Sequence, residues 1–313
     1  MGGTKTFALA LDSSGVPLAS TRASTPTGSV RDFVAAAVSV VGTVSDDLGV
    51  ATQDFAAVGV GVPGKVDPSG GTMSHAVNLG LGPRPIPLAA LLSEALGAPV
   101  HVENDANAAA LGTARLLPDA PEDLTFLSVG TGIAAGVVLG GRLRRGVHGV
   151  AGEIGHLPVD PGGETCECGR RGCLELVASG SAIARRWPVE DGRSPAEDVF
   201  RAAGNGHAAA AAIVAELGGH LAEAVILLAM TFDTGTVVLG GGVADVGQPL
   251  VDAVAAALRE RAAASPLLEA LHLDRSLLLA PDAPVGAIGA ALAAHHELDG
   301  TARPQMLRSV TGG

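Results

Sequence analysis

The chain reads as an α/β protein of two domains, and three observations carry that expectation. It has 313 residues, about twice the roughly 150 residues of a common domain. Short β-rich runs alternate with longer segments whose apolar residues recur at helical spacing. One plan, strand, Gly/Thr loop, strand, turn, strand, opens the chain and returns near residue 124, a single repeat per half and not a solenoid.

The elements follow in order. Gly2-Gly3-Thr4-Lys5 leads into a strand over 6–11, Asp12-Ser13-Ser14-Gly15 makes a turn, and 16–21 pairs back. Apolar spacing of three and four predicts a helix over 31–48. A short buried strand over 55–62 ends at Pro63-Gly64, residues 87–96 are helical, and 100–102 is a strand running into Glu103-Asn104-Asp105 and an alanine-rich helix over 106–116. The second half brings strands over 124–129, 133–139 and 142–145, with Gly130-Thr131-Gly132 and Gly140-Gly141 between them. Helices are expected near 179–187, 195–203 and 208–228, a strand over 236–239 ending at Gly240-Gly241-Gly242, and a last helix over 287–295. The tail from Asp299 is polar and reads as frayed.

Composition narrows the function classes. Apolar residues make up 47% and charged residues 17%, enough for a core and too few charges for a disordered chain. The net charge of -12 argues against nucleic acid as a partner, since phosphate binding needs clustered Lys and Arg. No run reaches the ~20 apolar residues of a membrane helix; the best, 225–230, is short. No secretory leader pattern opens the chain, and a reduced, cytoplasmic location is expected.

The three cysteines lie within one stretch, Cys166-Glu-Cys168-Gly-Arg-Arg-Gly-Cys173, ten residues after Glu153-Ile-Gly-His156. Cys₃His is a tetrahedral zinc set; the alternative is a disulfide plus a free thiol, which the C-x-C spacing disfavours. None of the other eight histidines has a partner at metal-ligand spacing. Glu153 and Glu175 sit in the same segment and are not needed by such a metal. Gly59-x-Gly61-x-x-Gly64 fits a dinucleotide fingerprint, but Pro63 and Pro68 break the helix it should open. A P-loop is excluded as well, because Val66 stands where Ser or Thr would bind Mg²⁺. The Gly/Thr turns at 2–5 and 130–132 are either hairpin turns or backbone cups for phosphate. Their matching places in two halves favour a nucleotide held between them, and Gly240-Gly241-Gly242 permits close approach of a flat adenosine. Asn104 and Asp105 are either helix N-caps or a carboxylate aimed at a cleft with its neighbour.

GGTK, GVGVPG, VENDANAA, VGTG, GEIGH, CECGRRGCLE and LGGG occur in that order. This pattern resembles the ROK family of bacterial sugar kinases and sugar-responsive repressors. The resemblance implies the actin/hexokinase-like (ribonuclease H-like) ATPase fold with a cleft between domains. The chain's own organisation places the domain border near residue 112, giving a small domain over 1–111 and a large domain over 112–285 carrying the zinc segment; the resemblance implies that a helix over 286–298 returns to the small one. It further implies glucokinase-like, ATP-dependent phosphorylation of a hexose hydroxyl, usually at C6, with Asp105 as general base. Gly64, Asn78, Asn104, Asp105, Glu153, His156 and Glu175 would meet the sugar. Gly2, Gly3, Thr4, Lys5, Gly130, Thr131, Gly132, Gly240, Gly241 and Gly242 would hold ATP with its Mg²⁺. His156, Cys166, Cys168 and Cys173 would bind a structural Zn²⁺, with the second ring nitrogen of His156 toward the sugar. A homodimer or homotetramer is expected.

Two departures stand out. Relatives carry Asp-Ile before the first glycines, on a strand; here Met1 takes the Ile place, and the expectation is a native start further upstream. Ile133-Ala134-Ala135-Gly136 replaces a more glycine-rich run and is expected to tighten the loop or weaken ATP binding. A sugar-binding regulator or repressor, with weak or no kinase activity, is the alternative function; its discriminator is a winged helix-turn-helix upstream.

Overall fold

The computed structural model describes residues 5–76, 79–190 and 192–298. Gly2, Gly3, Thr4 and Asn78, all named above as candidate ligands, lie outside the described residues. The chain divides into two compact units, one of residues up to Asp105 together with those from Ala287 onward, the other Ala106–Gly286.

In the first unit, β1 (Lys5–Leu11) and β2 (Pro17–Ser24) form an antiparallel hairpin. Asp12 closes its turn by accepting from the N–H groups of Ser14 and Val16 at 2.8 and 2.9 Å, the usual Asx-turn chemistry. Helix α1 (Val30–Leu48) starts where Ser29 Oγ accepts from the Asp32 N–H and stops at Gly49, whose φ of 67° needs no side chain. β3 (Val58–Val62) begins three residues later than expected because Thr52–Asp54 form a 3-10 turn. After β3, β4 (Lys65–Asp67) and β5 (Thr72–Ser74) make a small antiparallel hairpin. The sequence reading treats that stretch only as turn-rich. Each of its strands is three residues, too short for a period-2 pattern to register.

Helix α2 (Leu88–Leu96) and β6 (Val100–Asn104) follow, β6 lying parallel to β3. Helix α3 (Asp105–Leu116) begins with no intervening loop and from Ala106 on belongs to the second unit. The core of the first unit is built on Phe33, Val62, Met73, Leu79, Leu88, Leu92 and Val102. The last described helix (Val285–Leu298) packs so closely on β3 that a Cβ at Gly59 would lie 1.9 Å from the Ala290 carbonyl oxygen.

The second unit holds a five-stranded mixed sheet of β7 (Leu124–Val129), β8 (Ile133–Leu139), β9 (Arg142–Leu143), β10 (Val237–Gly240) and β11 (Leu277–Leu279), in the order β11-β10-β7-β8-β9. β7, β10 and β11 run parallel, whereas β8 and β9 are antiparallel additions. Helices α4 (Glu175–Ala178), α5 (Gly180–Arg186), α6 (Pro195–Gly204), α7 (Ala208–Phe232), α8 (Gln248–Ala262) and α9 (Pro266–Leu271) pack around it, and α10 is the Val285–Leu298 helix. Leu127, Val129, Leu217, Leu221, Leu239 and Leu250 form its core. The apolar run 225–230 is not a short isolated segment. It belongs to the 25-residue α7, which by length and composition alone could cross a membrane, though half of that window is buried inside the protein. Burial of Leu217, Leu221, Val225 and Leu228 accounts for its apolarity as core packing.

Candidate functional site

The second unit gathers most of the predicted site. Gly152 and Gly155 press the Glu153–His156 segment against β8. A Cβ at Gly152 would lie 1.8 Å from the Ala135 oxygen, and one at Gly155 would lie 2.1 Å from the Ile133 oxygen. The Ala135 N–H donates to the Gly152 carbonyl at 2.7 Å. Ala135, expected near the phosphates, is instead buried in the core, because successive strand residues face opposite ways.

A 3-10 turn over Ile154–His156 then turns the imidazole toward the cysteine loop. That loop is tied by bridges between Pro158 and Cys173 and between Thr165 and Arg171. Gly172, at φ 64°, sits where any Cβ would meet the Asp160 carbonyl. The result is a compact cluster: one ligand atom each from His156, Cys166, Cys168 and Cys173, all within 4.8 Å of one another. Cys168 Sγ and Cys173 Sγ are 3.6 Å apart, as are Cys166 Sγ and His156 Nδ1. A tetrahedron with 2.3 Å Zn–S arms has edges of about 3.8 Å. Donor type and spacing therefore fit zinc, and four protein donors would fill the tetrahedron. None of the three cysteines is disulfide-bonded.

Glu175, the first residue of α4, lies against this cluster. Its Oε1 is 3.1 Å from His156 Nδ1 and accepts from Cys166 Sγ at 3.2 Å. The hydrogen bond from His156 raises that imidazole to about 9. Burial pushes Glu175 up, but the His156 and Cys166 donors outweigh it and hold the carboxyl below its ordinary range. Burial raises the Cys166 and Cys173 thiols. Glu153, half-buried, immediately precedes the 3-10 turn.

The two glycine turns of this unit adjoin. Gly240 pairs with Ser128 where parallel β10 and β7 end, so Gly130-Thr131-Gly132 and Gly240-Gly241-Gly242 emerge side by side at strand C-termini. In open α/β sheets ligands bind there. Gly241 has φ 84° and would drive a Cβ to 2.6 Å from the Val129 oxygen, so the turn accepts only glycine there. The sequence reading misses Gly180. Its N–H donates to the Gly130 carbonyl at 2.7 Å and a Cβ there would crowd the same oxygen at 2.9 Å. The available signal was Ser179-Gly180 at a helix start, Ser179 being the N-cap of α5.

The first unit holds the others. Gly61 pairs with Glu103 and Val62 with Asn104, so Gly64 and Asp105 both follow the C-terminal ends of adjacent parallel strands. Asn104 Nδ2 donates to the Gly64 carbonyl at 3.1 Å, and its N–H donates to Glu103 Oε1 at 2.9 Å. Glu103 is fully buried, with His101 Nε2 3.9 Å from its Oε2. Gly64 has φ 88° and packs against Ser74 and Ala76. Asp105 is exposed at the first position of α3, and Lys5 is exposed at the start of β1.

The chain is similar to several known proteins. A glucokinase of Halalkalibacterium halodurans is 38% identical over 216 residues, 64% of this chain. The matched stretch spans 65% of that relative's own length. An N-acetylmannosamine kinase of Escherichia coli is 37% identical over 67% of this chain and 70% of its own. The crystal structure of a ROK family glucokinase from Streptomyces griseus, in complex with glucose and AMPPNP, superimposes with a TM-score of 0.79. It is 31% identical, covering 95% of this chain and 97% of that one. The fold is thus the two-domain actin/hexokinase-like one of ROK sugar kinases. The ROK family profile matches residues 1–297, and the chain belongs to the ROK family.

Proposed function

We propose that this protein transfers the γ-phosphoryl group of ATP to a hexose hydroxyl, at C6, with Asp105 as general base. The observation that carries the reading is the seating of Asp105. It is an exposed carboxylate on a rigid strand-to-helix joint, next to an Asn104 whose amide is locked on the Gly64 carbonyl. A carboxylate so placed can accept the hydroxyl proton as the oxygen attacks phosphorus, and Asn104 and Gly64 would orient the sugar.

Glu153, His156 and Glu175 supply the acceptors and the ring donor that hexose hydroxyls need. The turns 130–132 and 240–242 would hold the nucleotide, with Mg²⁺ neutralising its phosphates. Zn²⁺ on His156, Cys166, Cys168 and Cys173 would supply rigidity and not Lewis-acid chemistry, since no coordination position remains open. Glucose is the first substrate to test, supported by the glucokinase relatives. N-acetylmannosamine is the second.

The test is ADP release across glucose, N-acetylmannosamine, mannose, fructose and allose. One sugar should stand out, and no turnover with any hexose would refute the kinase reading. Asp105→Asn should lower kcat by roughly a hundred- to ten-thousand-fold while sugar affinity stays near that of the parent. Unchanged turnover would remove Asp105 from the base role.

A further inference from the structure

We propose that Glu175 is a positioning residue that couples the Cys₃His cluster to the Gly130-Thr131-Gly132 turn, so that filling the metal site tightens nucleotide binding. The proposal rests on reading that turn as a phosphate cup.

One carboxylate has two addresses. Its Oε1 lies 3.1 Å from His156 Nδ1 and 3.2 Å from Cys166 Sγ, both in the ligand set. Its Oε2 lies 2.9 Å from the place an ideal Cβ on Gly132 would take. The Ile133 N–H donates to the same carboxylate. A trans peptide is planar, with N–H and C=O pointing opposite ways. Aiming the Ile133 N–H at Glu175 therefore aims the Gly132 carbonyl back across the turn, where it accepts from the Gly130 N–H at 2.9 Å. The far side of the turn is pinned separately, by the Gly180 N–H on the Gly130 carbonyl at 2.7 Å. Glu175 thus fixes the Gly132–Ile133 peptide plane, and α5 fixes the Gly130–Thr131 plane. A methyl at position 132 would push this carboxylate oxygen aside.

The metal enters through Oε1. A cation bound to Nδ1 and to Cys166 Sγ takes up both partners that now hold this oxygen. The carboxylate is then left to the Ile133 N–H, and the turn is held more firmly. Metal loading and phosphate binding become linked through one side chain, and the coupling is reciprocal.

The experiment uses the full chain, zinc-loaded and chelator-stripped, with zinc content measured. The affinity for the magnesium complex of a non-hydrolysable ATP analogue is read by calorimetry without sugar. Stripping should weaken binding by about tenfold. In Glu175→Ala the loaded and stripped forms should bind alike, and Glu175→Gln, which keeps an acceptor for the Ile133 N–H, should recover part of the affinity. Gly132→Ala should weaken binding in the parent and much less in Glu175→Ala.

Should stripped protein unfold, this two-site cycle on zinc-loaded material decides. Equal costs of Gly132→Ala in both backgrounds, or equal nucleotide affinity of folded stripped and loaded protein, overturn the proposal. Thr131→Val separates the two levels. If it weakens nucleotide binding while the cycle is additive, the cup stands and the coupling falls. If neither Thr131→Val nor Gly132→Ala affects affinity, the cup reading itself falls and takes the coupling with it.

Discussion

Trp187, the single tryptophan of the chain, donates from Nε1 to Asp198 Oδ2 at 2.9 Å. Arg193 and Arg201 pair with the other carboxylate oxygen, and the His207 ring stands edge-on to the indole at 5.1 Å. The Trp187 hydrogen bond and the two arginines hold Asp198 below its ordinary 3.8. A depressed carboxyl stabilises the fold above the unfolded value, and that contribution is lost as pH falls through the folded one. An acid step in Trp187 emission is therefore expected below about pH 3.8, as Asp198 takes up its proton. In Asp198→Asn this acid step should vanish; a fluorescence titration at low salt checks both. Cys₃His spacing was legible residue by residue, as was the Glu-Asn-Asp run. The grip of Glu175 on both the cluster and the 132–133 peptide was not, because His156 and Ile133 lie about 20 and more than 40 residues from it in sequence.

At the scale of elements, β3 and α10 meet backbone to backbone at Gly59, where a Cβ would lie 1.9 Å from the Ala290 oxygen. Gly59→Ala must push the helix away, and overpacking of this kind costs about 1–3 kcal/mol, readable as a lower urea midpoint. Leu221→Ala on α7 removes a fully buried side chain and should cost about 2–5 kcal/mol, measured the same way. An additive double variant is expected, since the two sites lie in different units. Long helices and buried strands show their period in the sequence. The β4–β5 hairpin and the one-turn α4 do not, being too short to carry one. Helix α8 escapes a periodicity reading because its Ala255-Ala256-Ala257 run and flanking charges blur the apolar stripe.

For the whole molecule, metal removal is the broadest test. One zinc per chain is expected by elemental analysis. After chelation, amides of residues 153–175 should exchange rapidly while those of β7 and β10 remain protected. The cluster segment has few strand or helix bonds of its own, whereas those strands lie inside a five-stranded sheet. Uniform exchange across the unit would show instead that the metal holds the entire sheet.

By itself the sequence determined the family, through motifs whose order and spacing survive in one dimension. It also determined the ligand types for a metal and the alternation of strands and helices. Tertiary structure alone decided that the two glycine turns of the second unit stand side by side on β7 and β10, that Ala135 belongs to the core, and that Glu175 touches both cluster and turn. The physical reason is that strand order, face and close approach are set by packing between segments remote in sequence, which local periodicity does not encode.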